Sequence, residues 1–279
     1  MADARSLRSN GRVAHSALAG LVQADRFSEG QWMQVGVAVA PILGGPEGPR
    51  IREMLFGQEF CVLDTVRGYA FGFNRHDGYC GYVQQHSLHE APPATHVVTA
   101  LRTYHKPSPD LKSWEPHSPL HFGSRVAVTG IEKGWARVAL PKGHGFVPEV
   151  HLSPLPHSFD DPVAVAEKFL GAPYLWGGNS ASGLDCSGLV QASLLACGVD
   201  CPGDADQQAR DLGASVGNNT AVLRGDLFFW AGHVAIARDE TTLIHANAHA
   251  MAVSVETIEG AIERIAQQGE GDVTVRKRL

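Results

Sequence analysis

Gly177-Gly178-Asn179-Ser180-Ala181-Ser182-Gly183-Leu184-Asp185-Cys186-Ser187-Gly188-Leu189-Val190-Gln191 is the stretch on which the fold turns. Its first half is glycine and small polar residues, the composition of a loop. Its second half starts a periodic run in which Leu189, Val190, Leu194 and Cys197 recur at helical steps, and Gly198 supplies a stop. A helix is therefore expected over residues 187–197, with Cys186 at the junction where loop becomes helix. Unpaired N–H groups and the positive end of the helix dipole favour a thiolate at such a place. A buried structural cysteine sits more commonly mid-helix on an apolar face, as Cys197 is expected to do.

A thiolate that does chemistry also needs a proton acceptor and a group to orient it. Downstream, β-prone runs cover 226–230, 233–238, 242–246 and 253–256. His233 opens one of these runs and His245 lies within the next. If the two strands are antiparallel neighbours, a short hairpin sets the imidazoles side by side, which is the nucleophile, base and orienter pattern of a papain-like site. A histidine on a strand is also often a hydrogen-bonded structural residue, so the residues alone leave both readings open. A helix over 162–170, opened by Asp161-Pro162, precedes the loop, and a helix over 258–267 and a strand near 273–275 follow. Helices first and antiparallel strands afterwards make an α+β arrangement.

Upstream the texture differs. Apolar residues at 13, 14, 17, 18, 21 and 22 recur at three- and four-residue steps, predicting one short amphipathic helix over 13–22. Short β-prone runs then cover 33–39, 59–65, 70–73 and 81–83, and a second series after Ala91-Pro92-Pro93 covers 97–104, 125–129, 136–139 and 145–147. Each series closes on a glycine-aromatic-valine step, Gly81-Tyr82-Val83 and Gly145-Phe146-Val147. Two degenerate repeats of this kind suggest a tandem of small SH3-like barrels. The expected division is an N-terminal helical segment over 1–33, barrels over 34–91 and 94–155, and the α+β domain over 160–279.

The chain of 279 residues, 44% hydrophobic and 19% charged, has the composition of a globular protein. A net charge of −6 and the lack of clustered Lys and Arg argue against nucleic acid as partner, and the basic end Arg276-Lys277-Arg278 reads as a solvated tail. No apolar run reaches the roughly 18 residues of a membrane span, and residues 1–21 lack the apolar core of a secretory signal. The expectation is a cytoplasmic protein. Five cysteines, an odd number, fit a reducing compartment, with Cys197 and Cys201 read as buried thiols before a metal pair. The glycine-rich loop lacks the Lys-Ser/Thr ending of a phosphate-binding loop. Nothing calls for a metal or cofactor, and the sequence is silent on oligomeric state.

Four blocks, Pro173-Tyr174-Leu175-Trp176-Gly177-Gly178, Leu184 to Gln191, Arg224-Gly225-Asp226-Leu227 with Gly232-His233-Val234-Ala235-Ile236, and Ile244-His245-Ala246-Asn247, occur in the order of the signature blocks of the NlpC-type family of cell-wall cysteine peptidases. The chain resembles that family over 160–279, and its β segments resemble the paired bacterial SH3-like domains of members that cleave free murein peptides. The resemblance implies Cys186 as nucleophile, His233 as base, His245 as orienter and Tyr174 as an oxyanion donor. It also implies that Asp185 and Ser187, with Tyr79 and an acidic residue of the first barrel, hold the free α-amine of an N-terminal L-alanine. Asp185 as a plain helix cap is the alternative, and the two roles are compatible. The implied activity is a γ-D-glutamyl-L-diamino acid endopeptidase in murein peptide recycling. An exported hydrolase of intact peptidoglycan and a silent binding module are the competing readings. Two departures stand out. Leu55-Phe56-Gly57-Gln58-Glu59 leaves the acidic contact either lost at Gln58 or moved to Glu59, and Gly203-Asp204-Ala205 follows Pro202 where the family commonly has Arg-Asp-Ser.

Overall fold

The computed structural model describes residues 3–217 and 219–279, which divide into two compact units, one up to His157 and one from Ser158 onward. No helix among the described residues is long and apolar enough to cross a membrane.

In the first unit the expected helix over 13–22 is absent. Val13–His15 is a strand, paired in parallel with Arg26–Ser28, and Ser16–Leu18 forms a single 3₁₀ turn. The helical spacing is real, but Val13 and Ala14 are fully buried, Val13 against Cys61, Leu63 and the rings of Phe71 and Phe73, and that docking prefers an extended backbone. Arg12 and Arg26 both pair with the buried Asp64, which fixes the segment to the sheet.

Seven antiparallel strands follow, in the spatial order Arg50–Leu55, Val39–Leu43, Cys80–Gln84, Tyr69–Asn74, Glu59–Val66, Gln31–Val35 and Leu88–His89. The run expected at 33–39 is two strands broken at Gly36, and Arg50–Leu55 was hidden by its charges. Arg52 and Glu53 are nonetheless buried there. Val35, Ile42, Met54, Phe60 and Val83 fill the interior. A second β module, with its own core of Val98, Leu120, Val126, Val138 and Val147, comprises eight short strands from His96–Val98 to Leu152–Pro154. The strand Ser118–His121 carries Pro119, which masked it in the sequence. In both modules the glycine-aromatic-valine strand runs into a 3₁₀ turn and a short closing strand.

The modules meet at Gly57, whose φ of 74° makes the tight turn after Phe56. A Cβ there would lie 1.8 Å from the Arg125 carbonyl oxygen, so only glycine fits. Arg125 N donates to Phe56 O at 2.8 Å, and the Phe56 ring sits in the second module's core.

The second unit is built on a six-stranded antiparallel sheet ordered Ala214–Val216, Val275–Arg278, Leu227–Trp230, His233–Ala237, Thr242–Asn247 and Ala252–Thr257. The central strands are apolar almost throughout because both faces are covered. Phe228, Trp230, Ala235 and Leu243 pack on Ala261 and Ile265 of the helix Ile258–Gln267. The helix Cys186–Ala196 lies along the strands His233–Ala237 and Thr242–Asn247, and the short helix Pro162–Glu167, capped by Asp161, packs beside it.

The basic end is not a solvated tail. Val275–Arg278 is an interior strand, Arg276 is 6% exposed, and Arg278 donates from Nε and Nη2 to the two oxygens of the buried Asp226 at 2.6 and 2.7 Å. Burial pushes the Asp226 carboxyl up, but these bonds and the neighbouring guanidiniums hold it below its usual value. The arginines are occupied in closing the sheet.

Candidate active site

The nucleophile's side of the site is organised by main-chain groups. Asp185 takes an extended conformation, φ −93° and ψ −178°, and Cys186 is the first helical residue, one position earlier than the periodicity predicts. The Asp185 carboxylate accepts from Gly188 N at 2.7 Å, from Ser187 Oγ at 3.0 Å and, with its other oxygen, from Gly177 N at 2.9 Å. One side chain thus caps the helix and ties it to the glycine loop. Gly188 permits the contact, since a Cβ there would come within 2.5 Å of Gly178 O. Gln208, fully buried on the helix Ala205–Asp211 that the sequence did not announce, donates to Ser187 O at 3.0 Å and Pro202 O at 2.9 Å. Gly203 and Asp204, where the chain departs from the family pattern, lead into that helix, with Asp204 in the cap position. The Cys186 thiol is 4% exposed, and its Sγ lies 3.9 Å from Gly232 O, the carbonyl next to His233.

Side chains organise the other side. His233 Nε2 and His245 Nδ1 are 2.9 Å apart, their ring centroids 5.1 Å, as the hairpin reading expects. His245 is fully buried, and its Nε2 lies 2.9 Å from Glu256 Oε1 on the next strand. Arg264, in the last turn of the helix Ile258–Gln267, donates to both Glu256 oxygens at 2.8 and 3.0 Å. The sequence reading missed Glu256 and Arg264. The pairing of His245 with Ser254 puts Glu256 on the same face two residues along, a diagonal neighbour. Knowing the hairpin register was the missing signal.

Burial, then the neighbouring His245 ring and the Arg264 guanidinium, depress the His233 imidazole to about 3, with Glu256 opposing. His233 is neutral at rest. Hydrogen bonding from His245 holds the Glu256 carboxyl down to about 2, against its partial burial and with help from Arg264. Tyr174 forms an isolated bridge with Leu184, and burial followed by the Cys186, Asp185 and Glu270 charges pushes its hydroxyl above its usual value, so it is protonated beside the thiol. The remaining predicted residues lie in the first unit. Tyr79 is 4% exposed in the first barrel's core, Glu59 pairs with Arg75 at 2.7 Å, and Gln58 Oε1 accepts from Leu55 N at 2.9 Å, spending that amide on its own turn. Among the described residues no group of three or more His, Cys, Asp or Glu is placed to hold a metal ion.

A thiol on the first turn of a buried helix, set against a coupled imidazole pair on an antiparallel sheet, is the arrangement of a papain-like thiol hydrolase. Residues 171–268 match the family model described as the NlpC/P60 family, and residues 43–88 that described as the bacterial dipeptidyl-peptidase Sh3 domain. Over these residues the chain matches an NlpC/P60 domain and a bacterial SH3-like domain. It is 30% identical over 165 residues to a gamma-D-glutamyl-L-lysine dipeptidyl-peptidase of Bacillus subtilis, covering 55% of this chain and 52% of the relative. A protein of the same description from Bacillus cereus is 28% identical over 227 residues, 69% of this chain and 66% of the relative. The chain thus spans between half and two thirds of the length of these curated relatives. A solved NlpC/P60 family protein from Bacillus cereus matches in fold with a TM-score of 0.75 at 20% identity, over 89% of this chain and 99% of that one.

Proposed function

We propose that this chain hydrolyses the γ-D-glutamyl-L-diamino acid bond of murein-derived peptides that carry a free N-terminal L-alanine, and that it does so in the cytoplasm as part of cell-wall peptide recycling. The observation that carries the reading is the Cys186 thiol on the first helical turn, beside Gly232 O and the His233–His245 pair, in a domain whose relatives bear the name of that activity. The odd count of five cysteines suits a reducing compartment.

In this reading Cys186 Sγ attacks the γ-amide carbonyl carbon while His233 takes the thiol proton. The oxyanion is met by the Cys186 backbone N–H and the protonated Tyr174 hydroxyl, a donor of a kind worth about 3 kcal/mol in the transition state. His233 returns the proton to the leaving amine of the diamino acid. Water, deprotonated by the same imidazole, then releases the acyl group and regenerates the thiol. The Asp185 carboxylate, close to the thiol and already tied to the loop, supplies a negative charge for the substrate ammonium.

Mass spectrometry of digests tests this. Free L-Ala-γ-D-Glu peptides ending in lysine or diaminopimelate are expected to yield L-Ala-γ-D-Glu, and intact sacculi to yield little. Turnover of sacculi in preference to the free peptides would replace the reading with an exported wall hydrolase. N-acetylation of the peptide should lower kcat/KM by about tenfold or more, the factor matching 1.4 kcal/mol of lost ammonium contact.

A further inference from the structure

The side-chain chain behind His233 does not stop at His245. Glu256 is fixed by two bonds from Arg264 and presents Oε1 to His245 Nε2 at 2.9 Å. An ionised carboxylate accepts and does not donate, so the proton between them belongs to His245 Nε2. In a neutral His245 the other nitrogen, Nδ1, is then a bare acceptor. It is 2.9 Å from His233 Nε2, which must therefore carry its own proton. A neutral His233 with hydrogen on Nε2 has its lone pair on Nδ1, the ring nitrogen not engaged by His245.

We propose that Glu256, held by Arg264, is a positioning residue that sets the tautomers of both histidines, so that the base presents an empty Nδ1 to the thiol. When the S–H bond breaks, the electron pair stays on sulfur and the proton forms a new bond at His233 Nδ1. The positive charge created there is shared along the two Nε2–H bonds and compensated at Glu256. Arg264 keeps the carboxylate in place and moderates its charge. The charged groups acting on His233 are His245, Arg264 and Glu256, whereas Cys186, Asp185 and Glu270 act on Tyr174. The Trp230 ring, 5.6 Å from His233, adds packing and no charge.

This inference rests on His233 being the base, and its test does not depend on which peptide is cut. Peptide mapping of iodoacetamide-treated full-length protein follows alkylation of Cys186 as a function of pH. In Glu256→Gln, which keeps an acceptor oxygen and loses the charge, the midpoint of the alkylation profile is expected to move to higher pH, and kcat on a cleaved peptide to fall with KM nearly unchanged. Glu256→Ala loses acceptor and charge, and kcat should fall roughly ten- to hundredfold, the range in which outer partners of metal-bound imidazoles act. Arg264→Lys, which retains a cation, should sit between wild type and Glu256→Gln. Circular dichroism establishes that each variant is folded, and if Glu256→Ala is not, the near-isosteric Glu256→Gln and Arg264→Lys decide. Wild-type alkylation profiles in the folded variants overturn the proposal, as does a raised KM with kcat intact. A shifted profile in a protein that cuts no γ-glutamyl peptide would remove the proposed substrate and leave this assignment standing.

Discussion

The two partners of the reacting pair are held by different means. Cys186 is positioned within residues 177–191 by a capping carboxylate, loop amides and a glycine contact, with Gln208 as a long-range tether. His233 is positioned by side chains drawn from two other strands and a helix, through His245, Glu256 and Arg264. The first arrangement is local and rests on main-chain groups that most substitutions leave alone. The second exists only once the sheet has its register, and each link can be cut by one mutation.

Cutting the ends of the pair has the largest effect. Cys186→Ala should abolish turnover, by at least about 10⁴-fold, and His233→Ala should be nearly as severe. Peptide hydrolysis followed by mass spectrometry checks both, and retained activity in Cys186→Ala would remove the nucleophile assignment. His245→Ala removes an orienter instead of the base, so a loss of about 10²-fold in kcat is expected. An effect equal to that of His233→Ala would mean that the two rings act as one unit.

Stability should separate the two sides as well. Asp226→Ala leaves Arg278 and Arg276 without their buried counter-charge and should cost about 3 kcal/mol in urea unfolding, with no direct contact to the site. Asp185→Ala removes the cap from the nucleophile helix and should cost about 1 kcal/mol.

The pH dependence has a definite sign. His233 binds a proton near 6.5 when unfolded and near 3 when folded, so between those values the unfolded chain holds more protons. Glu256, depressed from 4.5 to about 2, acts in the same direction lower down. Both contributions are present at neutral pH and are lost on acidification, His233 from about 6.5 downward and Glu256 from about 4.5. Thermal melts across this range should show Tm falling with pH, and the fall should be shallower in His233→Gln. A Tm indifferent to pH in wild type would mean that the imidazole is not buried as described.

What the sequence disclosed follows the same division. The nucleophile helix and its glycine stop were readable because cap, period and terminator are close in the chain, and the error was a single position at Cys186. The hairpin of His233 and His245 was readable because the two strands are consecutive. Glu256 was not, since its role depends on register and on Arg264 in a later element. Local pattern failed where tertiary contact overrides it. Helical spacing at 13–22 yields to a docked strand, a proline hides the strand at 118–121, and the basic residues 276–278 turn out to be counter-charges for Asp226. Tyr79 and Glu59, which only the family resemblance pointed to, lie in the first unit, whose charged strand at 50–55 also escaped the pattern.

The turn at Phe56 and Gly57 bears on how the first unit comes apart. Phe56 belongs by sequence to one β module and by burial to the other, so melting either one strands an aromatic ring in water and breaks the Arg125 bond. A shared residue of this kind couples the modules into one cooperative foldon. Calorimetry of the chain should therefore register the two as a single transition, and Gly57→Ala should split or broaden it by forcing the modules apart at their common joint.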